Sequence, residues 1–333
     1  MSGKPTKRYF PKTKAELKEL VKDESVHLGE IDVSAVEDMS FVFADVKFDE
    51  DGKLKEEKDF KRKKFKGLET WDVSHVKNMR GMFFKASHFN HNISNWDVSK
   101  VTDMSHMFCN CAKFNQPLDN WDVSNVTEME WMFRYCQTFN QSLEKWDVSR
   151  ITDMHSMFWG CTNFNQPLNS WNVFNVKDMG GMFAYCETFN QPLNDWNVSA
   201  VTNTNSMFEG CKNFNQPLKK WNVSKVTDMS GMFSECTNFN QPLDNWDVSK
   251  VTNMGYMFNR CTDFNQPLEK WDVSKVKSMW SMFEGCSNFN QTLDKWNVLK
   301  YADIDFTFDG CDALEKLPKW YQEFWGDDDD NDD

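Results

Sequence analysis

The sequence predicts an α/β repeat solenoid. Three observations carry this: a 25-residue period, an apolar pattern that changes spacing inside each period, and many aromatics in a chain only 40% hydrophobic. Trp71, Trp96, Trp121, Trp146, Trp171, Trp196, Trp221, Trp246, Trp271 and Trp296 recur every 25 residues. Cys111 to Cys311 and Phe83 to Phe308 keep the same step. The 29 Phe and 15 Trp supply a core that a disordered chain lacks. A stacked array also lengthens without needing a second core, so the 333 residues do not imply two domains.

One unit runs from Trp121 to Lys145. Leu118-x-x-Trp121-x-Val123 has the strand pattern of a leucine-rich repeat, with Trp121 and Val123 on one face. From Val126 the spacing becomes three and four through Met129, Met132, Phe133 and Cys136, which predicts one short helix, capped by Ser124 or Thr127. Asn140-Gln141, followed by Pro in most other units, turns the chain back. The expected architecture is therefore leucine-rich-repeat-like, with one short parallel strand and one short helix per unit. Strands ~4.8 Å apart and helices ~8–10 Å apart would bend the stack with the strands inside.

The domain plan follows chain order. Residues 1–30 form an N-terminal capping segment, in which Thr13 to Lys22 reads as an amphipathic helix with Leu17, Leu20 and Val21 on one face. Residues 31–70 are a degenerate first repeat (Val33, Val36, Met39, Phe43) carrying a charged insertion, expected to be a solvated loop with a basic run, Lys61-Arg62-Lys63-Lys64. Residues 71–313 are the array. Residues 314–326 form a C-terminal cap, with Leu317, Trp320, Tyr321, Phe324 and Trp325 at helical spacing. Residues 327–333 are an acidic tail expected to be disordered.

Composition narrows the function classes. A net charge of −13 argues against a nucleic-acid partner. No stretch approaches the ~20 apolar residues of a membrane span, and Met1 to Phe10 has no apolar signal core. The expectation is a cytoplasmic monomer whose ten cysteines are free thiols. The cysteine column reads as small buried hydrophobes, with Cys109, outside it, more exposed; helix spacing would hold neighbouring thiols beyond disulfide reach.

No catalytic constellation is expected, since nearly every polar residue belongs to a column. The six histidines match no zinc spacing, and no phosphate loop or other cofactor motif occurs, so neither metal nor cofactor is predicted. The asparagine column, Asn90 to Asn290, is expected to hydrogen-bond backbone groups at the corners. Candidate binding residues are those flanking the tryptophans, which would line the inner strand face: Asp97, Asp122, Asp147, Glu144, Lys145, Lys219, Lys220, Asp247, Glu269, Lys270 and Asp272. Stacked carboxylates at ~5 Å repel, so either local hydrogen bonds or a cationic partner must offset them.

The motif Phe-Asn-Gln-Pro-Leu-x-x-Trp-Asp-Val-Ser-x-Val-Thr-Asp-Met-Ser-x-Met-Phe, as in Phe239 to Trp246 and Trp221 to Phe233, resembles the bacterial surface protein repeat of BspA-like leucine-rich repeat proteins. The likeness covers Trp71 to Cys311. The leader, Pro11 to Leu17 with Leu28 to Ser34, is similar to that of cytosolic-looking members. The resemblance implies a solenoid, a role in adhesion or protein interaction, and no catalytic residues or cofactor. Surface members carry a signal peptide, lipobox or wall anchor, and none is seen here. The sequence thus predicts a non-catalytic scaffold for a protein partner of unknown identity, acting through the inner strand face. Its alternative is an exported surface adhesin binding host protein or glycan.

Overall fold

The computed structural model describes residues 5–51 and 53–326. The acidic tail, Asp327 to Asp333, lies outside the described residues. The chain divides into two compact units, Met1–Asn175 and Val176–Asp333.

Each unit is a stack of 25-residue coils, and the coils are made of turns. In the coil around Trp96, an N–H bonds the C=O three residues back at Trp96 to Ile93 (3.1 Å), Val101 to Val98 (2.9 Å), Met107 to Met104 (3.2 Å), Cys111 to Phe108 (2.9 Å) and Phe114 to Cys111 (2.9 Å). N–H groups between these turns reach the next coil: Met104 to Glu128 O (3.0 Å), His106 to Glu130 O (2.9 Å), Phe108 to Met132 O (2.9 Å) and Asn110 to Arg134 O (2.7 Å). The second unit repeats the ladder, as in Met229 to Asn253 O (3.0 Å) and Phe233 to Met257 O (2.9 Å).

This corrects the expected helix and strand. Val126 to Cys136 is a succession of turns, and the α-helices among the described residues are α1 (Lys14–Lys22) and α2 (Lys319–Gly326), both outside the repeats. Leu118 to Val123 is also no strand: Trp121 N–H closes a turn on Leu118 O. Coils meet instead at single parallel bridges such as Asn78↔Asp103 and Asp103↔Glu128, a column that sequence reasoning passed over. The physical reason is shared geometry. A tight turn sends its first and fourth residues the same way, so turns that share or abut residues give the three-and-four spacing of a helix face. Ser124 and Thr127 consequently cap no helix; Thr127 Oγ1 donates to Thr102 O (3.3 Å) in the preceding coil. Gly160 occupies one of these turns at φ 72°.

The inward residues form the core. In the first unit Phe43, Phe83, Phe108, Phe133 and Phe158 stack at 5.2, 5.7, 5.6 and 5.6 Å between successive rings. In the second, Phe208, Phe233, Phe258, Phe283 and Phe308 do so at 5.7, 5.7, 5.5 and 5.7 Å. Coil spacing is therefore close to that of paired strands rather than packed helices. The expected distance barrier to disulfides is absent. Burial and a hydrogen bond hold the thiols instead, as in Cys136 Sγ to Phe108 O (3.0 Å) and Cys236 Sγ to Phe208 O (2.9 Å). All ten cysteines are free and buried, Cys109 included, against the expectation of greater exposure. Indoles of the tryptophan column likewise donate to a carbonyl of the preceding coil, as in Trp146 Nε1 to Leu118 O (3.0 Å) and Trp271 Nε1 to Leu243 O (3.0 Å).

The asparagine column bonds as expected. Asn115 Oδ1 accepts from Asn140 N–H and Gln141 Nε2 (both 3.0 Å), and Asn240 Oδ1 accepts from Asn265 N–H (3.0 Å) and Gln266 Nε2 (2.8 Å).

The insertion is not a plain solvated loop. It carries a hairpin of β1 (Asp45–Phe48) and β2 (Leu54–Lys58), looped out while the first coil bonds straight to the next, Met39 N–H to Asn78 O (2.9 Å). Arg62, inside the basic run, is 3% exposed. Its guanidinium donates to Val21 O (3.0 Å), Asp23 O (2.9 Å) and Val26 O (2.6 Å), satisfying carbonyls at the C-terminal end of α1 and in the turn that follows it. At the other end of that helix Thr13 Oγ1 accepts from Glu16 N–H (3.2 Å). In the second unit Trp320 of α2 takes an indole's place: its Nε1 donates to Leu293 O (3.0 Å) and its ring lies 6.2 Å from Trp296. Leu317 precedes this helix and is exposed.

Candidate recognition face

The residues picked out from sequence are exposed, apart from the half-buried Glu269, and locally engaged. In the first unit, Asp97, Asp122 and Asp147 each accept the N–H of the serine two residues on (3.1, 3.1 and 3.0 Å). Asp247 and Asp272 of the second unit do the same with Ser249 and Ser274 (3.1 and 3.0 Å). The serine hydroxyl, then the serine N–H, hold the Asp97, Asp147, Asp247 and Asp272 carboxyls below their ordinary value. The lysines reach back one coil: Lys145 to Asp119 (3.2 Å), Lys220 to Asp195 (2.7 Å) and Lys270 to Asp244 (3.8 Å), while Glu269 receives Lys295 (3.0 Å). Glu144 lends its carbonyl to Ser170 Oγ (2.8 Å), and Lys219 lends its carbonyl to Asn245 Nδ2 (2.7 Å). Among the described residues no strand carries these positions, which repeat once per coil within each unit.

A different set is gathered. Each coil reads Met-x-x-Met-Phe-x-x-Cys, or a close variant, and each x-x pair is the centre of a turn whose ends point inward. The second residue of each pair has positive φ, as type II turns require. Glycine fills this place at Gly81, Gly160, Gly181, Gly210, Gly231, Gly285 and Gly310. Other coils put bulky side chains there: His106 (φ 60°), Trp131 (62°), Tyr135 (60°), Tyr185 (58°), Tyr256 (60°) and Phe306 (59°). A non-glycine residue in this region costs ~1–2 kcal/mol.

In the first unit these side chains pack on one another. His106 lies 5.1 Å from Trp131, and Trp131 lies 6.2 Å from His155. The Arg134 guanidinium sits over Trp131 (4.0 Å), Trp159 (4.8 Å) and Tyr135 (5.1 Å). Three buried polar atoms on this face, His106 Nδ1, Glu130 Oε2 and Ser156 Oγ, have no hydrogen-bond partner among the described residues. Burial, helped by the Arg80 and Arg134 charges, pushes His106 down to about 4. Burial also raises Glu130, beside the carboxylates of Glu128, Asp103 and Asp153. Both groups are thus biased toward their neutral forms.

In the second unit the face carries more acids. Tyr185 OH donates to Glu209, Arg260 meets Glu235 (3.8 Å) and Asn259 Nδ2 donates to Glu284 (3.1 Å). Tyr256 is 47% exposed. Sequence reasoning missed this face. The available signal was variation: the x-x pairs change chemistry from coil to coil while the residues around them stay fixed.

A family model described as "Mycoplasma protein of unknown function, DUF285" matches residues 53–150, 129–236 and 216–320. No match was found among curated proteins.

Proposed function

The chain belongs to the DUF285 family of Mycoplasma proteins of unknown function, and from there we propose that it is a non-catalytic repeat scaffold that binds a protein partner through its turn face. One observation carries the reading: aromatic side chains such as Trp131 and Tyr256 stand at positive φ, at a place that glycine fills in other coils. Strain of this kind, kept against a ready alternative, marks positions held for recognition. Aromatic and arginine side chains are also the commonest anchors of protein interfaces. Around them the repeat supplies a frame of ladders within each unit, with α1 packed as a cap in the first and α2 in the second.

The likeness to BspA-like surface repeats supports an interaction role and extends it to a surface adhesin. In this chain that kinship lies in the sequence pattern rather than in a strand and helix per unit. Protease treatment of intact cells separates the two versions, because a surface protein is cut and an internal one is spared.

The direct test is photo-crosslinking in the native cell, with a benzophenone amino acid at Trp131 or Tyr256 and, as controls, at Asp97 or Lys270. A specific adduct from the turn-face positions supports the proposal. Adducts from the control positions alone overturn it.

A further inference from the structure

The second unit holds a notch in the turn face. The outward position that carries a ring at Tyr256 carries only Ser206 and Gly231 in the two preceding coils. The missing side chains leave a cavity of about 320 Å³, lined by Ser206, Glu209, Ser230, Gly231, Ser234 and Tyr256. A Cβ added at Gly231 would come 3.1 Å from Ser206 Oγ, so even one extra carbon crowds the opening. Among the described residues Glu209 is the one charged group lining it, and the Tyr185 hydroxyl donates to that carboxylate. Ser230 Oγ is tied to Asp228 (2.7 Å). Ser206 and Ser234 add hydroxyl oxygens, and Tyr256 adds an aromatic wall.

These groups select for one kind of occupant. A fixed carboxylate repels a phosphate or carboxylate, and hydroxyl walls give a purely apolar side chain nothing to offset their desolvation. An ammonium or guanidinium group gains a charge-assisted hydrogen bond from Glu209, neutral ones from the hydroxyls, and a ring face from Tyr256. The net charge of −13 favours the approach of a basic segment. Resting on the turn-face reading above, we propose that this notch takes the side chain of a lysine or arginine from the protein partner, making it the specificity pocket of the second unit.

The test pans a displayed library of random 12-residue peptides against the whole chain, then measures selected peptides by fluorescence polarisation. The expected result is enrichment of peptides that share one Lys or Arg. Replacing that residue by Gln, or Glu209 by Gln (E209Q), should each weaken binding about tenfold. The double change should weaken it little further, since both remove the same contact. E209Q keeps an acceptor for Tyr185 and the size of the side chain, so the fold stays intact. A second variant, Ser206→Tyr, places a ring where a non-glycine residue already stands at φ 53°, fills the notch without touching charge and should weaken the same peptides. Selection of acidic or wholly apolar peptides, fully additive losses, or no selection at all overturns the proposal. Peptides that tolerate E209Q but are lost on Trp131→Gly overturn the notch while leaving the wider turn-face reading standing.

Discussion

The Cys136 thiol donates to the Phe108 carbonyl of the preceding coil at 3.0 Å. Eight cysteines of the column, counted among the described residues, make the same bond with distances of 2.8 to 3.1 Å. Burial pushes these thiols well up, and Cys109 up to about 12. A thiol raised in the folded state stabilises the fold below the unfolded value of ~8.5 and ceases to do so as pH climbs above it. Urea unfolding should therefore show stability falling progressively above pH ~8.5. The slope should lessen in Cys136→Ser, whose hydroxyl does not ionise there. A native protein whose thiols react with Ellman's reagent as fast as in denaturant would contradict this.

The aspartates titrate the other way. Asp97 is lowered by the Ser99 hydroxyl and N–H, so its contribution is present above the unfolded value of ~3.9 and is lost as pH falls through the folded one. Ser99→Ala should raise the Asp97 carboxyl toward the ordinary range, as read by carbon NMR titration. An unchanged titration would show that the hydroxyl contributes nothing.

The backbone at Tyr256 gives a test of the turn geometry. With φ at 60°, glycine suits the position and alanine does not. Tyr256→Gly should be more stable than Tyr256→Ala by about 1 kcal/mol in chemical denaturation. The helix first expected from the sequence makes the opposite prediction, because alanine is the better helix former.

That contrast also shows what the sequence made legible. The period, the buried Trp, Phe, Met and Cys columns and the asparagine bonds follow from residue type and spacing alone. Met129, Met132, Phe133 and Cys136 do not reveal whether a helix or linked turns set their spacing, because both send those residues inward. The positive φ at Trp131 was hidden for a related reason: glycine marks the position in other coils but tryptophan does not. Arg62 looked solvated because a basic run gives no hint that one of its members meets the carbonyls of α1.

Arg62 should accordingly behave unlike its neighbours. Arg62→Ala leaves the Val21 and Val26 carbonyls without these donors and should cost about 2–4 kcal/mol. Lys61→Ala and Lys64→Ala should fall within about 0.5 kcal/mol of the native protein. Equal losses at all three positions would place Arg62 in solvent.

The turn face, rather than the Asp-Val-Ser edge, is predicted to bind the partner. Titration of the crosslinked partner, once purified, against two triple variants decides between the two surfaces. His106→Gly/Trp131→Gly/Tyr135→Gly should stay folded, since each position has positive φ, and lose at least tenfold in affinity. Asp97→Asn/Asp122→Asn/Asp147→Asn should bind within about twofold of the native chain. Undiminished binding by the first variant together with loss in the second would contradict the claim.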